Sequence, residues 1–313
     1  MVAFGSNLNI GIELTVGGIT TFLQYANQFA KPLNEISSCL NEIQSGFVSL
    51  NRIIEVFNAK DDIDEGKLKI EEIINYIDIK NLKFGYDNNK ILFKNINFTV
   101  KNNQKIAIVG PTGCGKTTII NLLLRFYDPN AGEILINNTN YLNIQKMSLR
   151  SKFGMVLQDS WIFHGTVLEN IKYGNPNASF DDVVKASKEA NCYDLIMRLP
   201  KGFETVISND SGLSKGEKQL LCIARVMLMP FELLILDEAT SNVDTRTEIN
   251  IGKALDHLMK DKTSIVIAHR LSTIKSSDLI LVLNNGEIIE KGNHRDLMNL
   301  HGFYYNLFNS QYR

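Results

Sequence analysis

Paired cysteines are the first thing missing. Cys39, Cys114, Cys192 and Cys222 are the only four, and none stands in a CxxC or other metal-ligand spacing. That excludes a zinc-ribbon site and a disulfide framework. The four are expected as reduced thiols in a cytosolic setting, with Cys39 and Cys222, which fall among apolar residues, serving as small core fillers. A basic excess is missing too: 33 Lys plus Arg face 34 Asp plus Glu, for a net charge of −1. No surplus exists to neutralise a nucleic-acid backbone, so no nucleic-acid partner is expected. The N-terminus has no basic stretch and no clear cleavage site, as a secretory signal needs. Nor is there an uninterrupted apolar run of about 18 residues, so hydropathy alone identifies no membrane span. What is present is a 313-residue chain with 44% hydrophobic residues, enough for a full core and, as a prior, about two domains.

Two textures divide the sequence. Residues 1–57 carry few charges and many amides and aromatics. Within them Leu33, Ile36, Leu40, Ile43, Phe47, Leu50, Ile54 and Phe57 recur at alternating steps of three and four, a helix seam with coiled-coil-like spacing. Pro32 predicts a kink or a local break. The amides upstream, Gln24, Asn27 and Gln28, fit either a bundle helix lining a wet cavity or a soluble amphipathic helix packed on a second domain. The charged stretch 58–73 reads as a linker. After it, KIAIVG (105–110), FELLILDEA (231–239) and TSIVIAHR (263–270) are near-continuous apolar runs. Such runs suit parallel strands with helices on both faces.

The segment KIAIVGPTGCGKTTIINLLL holds G-x-x-x-x-G-K-T between a strand pattern and a helix pattern, the context that a phosphate-binding loop requires. Gly110, Gly113 and Gly115 let the backbone curl so that its N–H groups converge on an anion, and Thr112 and Cys114 lie in the same curl. Lys116 brings a point charge to the outer phosphates. The Thr117 hydroxyl suits Mg²⁺, and Thr118 an inner phosphate. A thiol at a helix start beside Lys116 is expected to lose its proton more readily, unless Cys114 points away from the loop. LLILDE adds Asp237, which ends an apolar run where a carboxylate can hold Mg²⁺ through water, and Glu238, in position to polarise an attacking water.

One further stretch, LSKGEKQLL (213–221), spells a capping box, with Ser214 three residues before Glu217. Such a helix start is a cap, and its bare N–H groups are also an anion site. With LLCIAR after it, this stretch resembles the signature motif of ATP-binding cassette (ABC) proteins, LSGGQ in most members. FGYDNN (84–89) resembles that family's aromatic A-loop. VLQDSWIFHGTVLENI (156–171) is similar to its Q-loop and following segment, TSNVD (240–244) to its D-loop, and IAHRLSTI (267–274) to its switch-histidine loop. Order and spacing fit from about residue 76 to the C-terminus. Upstream, ELTVGGITTFLQYANQFAKPL is similar to the end of an ABC exporter's transmembrane domain, and Met1 followed by mid-domain sequence reads as truncation.

The resemblance implies an α/β fold: a P-loop cassette with a RecA-like parallel sheet, an antiparallel β subdomain and an α-helical signature subdomain, preceded by a long N-terminal helix. It implies a last membrane helix and cytosolic extension over 1–57, a linker over 58–73 and the cassette over 74–313. Tyr86 would stack on adenine, Gln158 reach Mg²⁺ and the attacking water, Asp244 organise the dimer contact and His269 contact the γ-phosphate. Ser214 and Gly216 would face ATP bound to a partner subunit. The implied activity is MgATP hydrolysis in a sandwich dimer, driving efflux of a substrate by a membrane protein with a cytoplasmic ATPase domain. An ABC ATPase acting off the membrane would need a coiled-coil insertion or tandem cassettes, and a module without turnover would have lost Glu238 or His269. Lys215 and Glu217 stand where the family has Gly and Gln. A complete P-loop half with a divergent signature favours a different half-transporter as partner over a second copy.

Overall fold

The computed structural model describes residues 15–59, 62, 64–87, 90–157, 160–237, 244–268 and 271–311. The chain divides into two units, the first ending at residue 63 and the second beginning at Asp64.

Among the described residues, the first unit holds one 42-residue helix, Val16–Phe57, whose start is capped by the Thr15 hydroxyl accepting from the Gly18 N–H at 3.2 Å. It continues through Pro32 without the expected break. Proline there removes a single i→i−4 donor, which so many neighbouring turns absorb. None of the helix residues is buried, and the seam from Leu33 to Phe57 is exposed along its length. Cys39 lies exposed on the same helix. Among the described residues no helix is long and apolar enough to cross a membrane. Length is not what fails here: Gln24, Asn27, Gln28, Lys31, Asn34 and Glu35 interrupt the apolar runs.

The second unit is built on a six-stranded sheet. Its spatial order is Glu287–Gly292, Leu279–Asn284, Lys105–Val109, Thr263–Ile267, Leu233–Asp237, Phe153–Val156. Every neighbouring pair is parallel except the first, which is antiparallel. The three apolar runs identified from sequence are thus adjacent central strands. Their alternation serves two cores. Ile106, Ile108, Leu233, Ile235, Ile265 and Ile267 enter one, while Ala107, Val109, Leu234, Leu236 and Val266 enter the other. Burying each such Ile, Leu or Val contributes roughly 1.5–3 kcal/mol.

The first core is closed by the Lys116–Leu123 helix and by an antiparallel sheet of Phe93–Lys101, Tyr76–Phe84, Ala131–Ile136 and Thr139–Asn140. The second is closed by the helices Val167–Lys172, Phe180–Glu189, Tyr193–Arg198, Lys215–Met227 and Thr245–Met259. Cys222 sits half-buried on that core. Part of the stretch read as a linker is tied to this unit: Leu68 N–H donates to Asn143 O at 2.9 Å, and Gln145 N–H to Leu68 O at 2.8 Å.

Candidate nucleotide-binding site

In a parallel sheet all C-terminal strand ends open on one edge, and loops leaving adjacent ends meet there. The register sets Ile108 beside Ile267, Ile267 beside Asp237, and Leu236 beside Val156. The phosphate loop leaves the Lys105–Val109 strand. Asp237, half-buried, closes the next strand but one. Gln158, Glu238 and His269 follow one or two residues after Val156, Asp237 and Ile267 in the chain and lie outside the described residues.

The loop's curl depends on two glycines in particular. Gly115 is the N-cap of the Lys116–Leu123 helix with φ +105°, and a Cβ there would lie 2.6 Å from the Phe93 ring. At Gly110 a Cβ would overlap the Leu283 carbonyl. Because Gly115 brings no side chain, this helix start has no side-chain cap, and its first-turn N–H groups keep their capacity for an anion. Lys116 Nζ donates to Gly110 O at 2.8 Å and Pro111 O at 2.9 Å, which draws the ammonium across the mouth of the curl. Thr112, Gly113 and Thr117 are exposed on the rim, and Thr118 is buried behind it. The donor set therefore fits a triphosphate, and the Thr117 hydroxyl with the Asp237 carboxylate fits an oxygen-seeking Mg²⁺.

Cys114 departs from expectation. It is buried, and burial pushes its thiol up, the Lys116 charge opposing this without prevailing. Desolvation of a thiolate outweighs one partly solvated ammonium.

Tyr86 stands half-exposed beside the loop. Its hydroxyl lies 3.0 Å from the Thr118 hydroxyl, and its ring meets Phe84 and Tyr127 edge-on, each at 5.0 Å between centroids. Tyr127 was not foreseen. The signal available was an aromatic pair, Phe126–Tyr127, just past the phosphate-loop helix.

The signature helix, Lys215–Met227, begins with the predicted cap. Ser214 Oγ accepts from the Glu217 N–H at 3.3 Å, and the Ser214 N–H donates to Glu217 Oε2 at 2.8 Å. Ser214 and Lys215 are exposed and Gly216 is buried. Asp244 is the N-cap of Thr245–Met259, its carboxylate accepting from the Thr247 N–H at 3.0 Å. That bond holds the Asp244 carboxyl below its ordinary value. Among the described residues no group of three or more His, Cys, Asp or Glu could hold a metal ion.

Residues 93–241 match the ABC transporter family. An uncharacterized ABC transporter ATP-binding protein of Bacillus subtilis strain 168 is 47% identical over 302 residues, covering 96% of this chain and 50% of that protein. A fatty acid ABC transporter ATP-binding/permease protein of Mycobacterium bovis is 42% identical over 307 residues, covering 98% of this chain and 48% of that one. A bacterial Atm1-family ABC exporter with ATP bound superposes with a TM-score of 0.73 at 36% identity, covering 96% of this chain and 53% of that one. The chain spans about half the length of the curated relatives it matches. Residues 93–241 thus carry an ABC transporter domain, and over nearly its whole length the chain is similar to ABC transporter proteins in sequence and fold.

Proposed function

We propose that this chain is the ATP-hydrolysing part of an exporter subunit, and that two cassettes close over two ATP molecules to drive substrate out across a membrane. The observation that carries the reading is a phosphate loop at the centre of a parallel sheet, with Asp237 at the same sheet edge. In this reading Tyr86 stacks on adenine and the N–H groups of the loop from Gly110 to Thr118 hold the phosphates. Lys116 balances charge on the outer phosphates. Thr117, Asp237 and Gln158 hold Mg²⁺, which supplies charge neutralisation on the phosphate oxygens. Glu238 takes a proton from the attacking water, and His269 contacts the γ-phosphate.

Ser214 and Gly216 serve the partner's nucleotide, with Asp244 at the contact between the cassettes. A lone cassette then lacks donors on one side of the γ-phosphate, so hydrolysis waits for closure. Residues 1–57 are the end of a transmembrane domain in this reading, which gives the exposed seam a bundle to pack in. That places the protein in the cell membrane with its cassette in the cytoplasm.

The partner we propose is a different half-transporter, because Lys215 and Glu217 depart from the family signature. Copurification tests this: tagged full-length protein expressed with its neighbours should bring down a second, non-identical cassette chain. A pure homodimer with transport-coupled turnover would refute it. The hydrolysis assignment is tested by Glu238→Gln, expected to bind ATP with hydrolysis reduced by about 10²-fold or more. Full turnover in that variant would remove Glu238 as the base.

A further inference from the structure

Trp161, Ile162 and Phe163 lie on the connection from the Phe153–Val156 strand to the Val167–Lys172 helix, and four of their backbone groups are committed to defined partners. Trp161 O accepts from Arg225 Nη1 at 3.1 Å and from Cys222 Sγ at 3.6 Å. The Ile162 N–H donates to Asn209 Oδ1 at 3.2 Å, and Asn209 O accepts from Lys218 Nζ at 2.5 Å. Phe163 is gripped from both sides by the buried amide of Asn170, its N–H donating to Oδ1 at 3.2 Å and its O accepting from Nδ2 at 3.1 Å. Arg225 returns to the same residue, Nε donating to the Asn170 backbone O at 2.8 Å and Nη2 to its side-chain Oδ1 at 3.2 Å. The ring of Tyr173 covers its guanidinium at 5.6 Å.

Lys218, Cys222 and Arg225 all lie on the signature helix, at steps of four and three, so they share one face. That face is tied to the 161–163 backbone directly at Trp161 O, through Cys222 and Arg225, and nearly two turns away through Asn209, which takes Lys218 on its carbonyl and the Ile162 N–H on its side chain, with Ser214 at the start of the helix. A helix held at two points cannot pivot independently of what holds it. We infer that Arg225 is a positioning residue which, through Trp161 and Asn170, sets where Ser214 stands. The inference rests on the ATPase reading above. A planar fork with several donors suits this duty, because a point charge cannot satisfy Trp161 O and both Asn170 oxygens together. The fork touches neither the phosphate loop nor Tyr86. Its loss changes turnover and leaves the chain's own hold on ATP alone.

The test compares wild type with Arg225→Lys in the full protein. ATP affinity by titration and KM should stay within about twofold, while kcat falls at least about tenfold. Amide exchange at Lys218–Leu221 should speed up about tenfold, with exchange at Ile119–Leu122 unchanged. Unchanged kcat and unchanged exchange would overturn the inference. So would a loss of ATP affinity together with faster exchange at Ile119–Leu122, since that pattern means general loosening. If Arg225→Lys does not fold, Asn209→Ala, at an exposed position, removes the Ile162 acceptor and must give the same split. If wild type binds ATP and never hydrolyses it, the ATPase reading fails, and the exchange data still decide whether Arg225 holds the helix.

Discussion

The hydroxyls of Tyr86 and Thr118 lie 3.0 Å apart. In the proposed site these groups take opposite ends of one ligand, Tyr86 the adenine and Thr118 an inner phosphate, so nucleotide must replace the bond between them. Such a bond is worth about 0.5–1.5 kcal/mol net. Tyr86→Phe keeps the ring against Phe84 and Tyr127 and frees Thr118. ATP affinity measured by titration should rise about two- to tenfold. Tyr86→Ala removes the platform and should weaken binding by about 1–3 kcal/mol. Equal losses in both variants would show that the hydroxyl, not the ring, is the binding group.

Glu217 settles a question that its sequence position leaves open. A carboxylate near a triphosphate repels it, but this one accepts from the Ser214 N–H. Glutamine caps a helix in the same way. Glu217→Gln should leave thermal stability within about 0.5 kcal/mol, as for a change away from core and network. Hydrolysis should stay within about twofold of wild type. Ser214→Ala should cost about 1 kcal/mol of stability by losing the cap. A large gain in hydrolysis on Glu217→Gln would mean that the carboxylate faces the phosphate instead.

Burial raises the Cys114 thiol, so at neutral pH it stays protonated and covered. Peptide mapping after brief iodoacetamide treatment at pH 7 should find Cys114 modified at least about tenfold more slowly than free cysteine. Cys192, whose thiol burial pushes up to about 12, should remain unmodified until the protein unfolds. Rapid labelling of Cys114 would contradict its placement beneath the loop.

Three helix caps make stability depend on acid. Glu169 is held below its ordinary value by the Thr166 N–H and hydroxyl, Asp182 by the Ser179 hydroxyl and N–H, and Asp244 by the Thr247 N–H. The unfolded chain takes up these protons at higher pH than the folded one. Their stabilisation is therefore complete above the ordinary carboxylate range and is lost as pH falls through the lowered folded values. Melting temperature should drop as pH falls below about 4. Asp244→Asn, which keeps a capping oxygen, should reduce the steepness of that drop. An unchanged profile would remove Asp244 from the set.

The sequence was informative wherever a local pattern determines the outcome. KIAIVG, LLILDE and TSIVIA became neighbouring strands because a strand covered on both faces must be apolar throughout, and S-x-x-E became a capping box because its partners are three residues apart. What stayed hidden depends on partners far along the chain. Tyr127 meets Tyr86 from across the phosphate-loop helix, and Arg225 reaches Trp161 and Asn170 over more than fifty residues. For Cys114 the neighbours in sequence gave the charge and left its orientation open, and only the folded chain gave the cover.

The strand order also bears on how the protein is made. Lys105–Val109 pairs on one side with Thr263–Ile267 and on the other with Leu279–Asn284. Both companions are translated long after it. A growing chain therefore carries its phosphate loop on a bare, sticky ribbon until Thr263–Ile267 and then Leu279–Asn284 emerge from the ribosome. A premature stop ahead of Leu279 would leave one flank of that ribbon unzipped, a product expected to clump or be degraded rather than to bind nucleotide weakly.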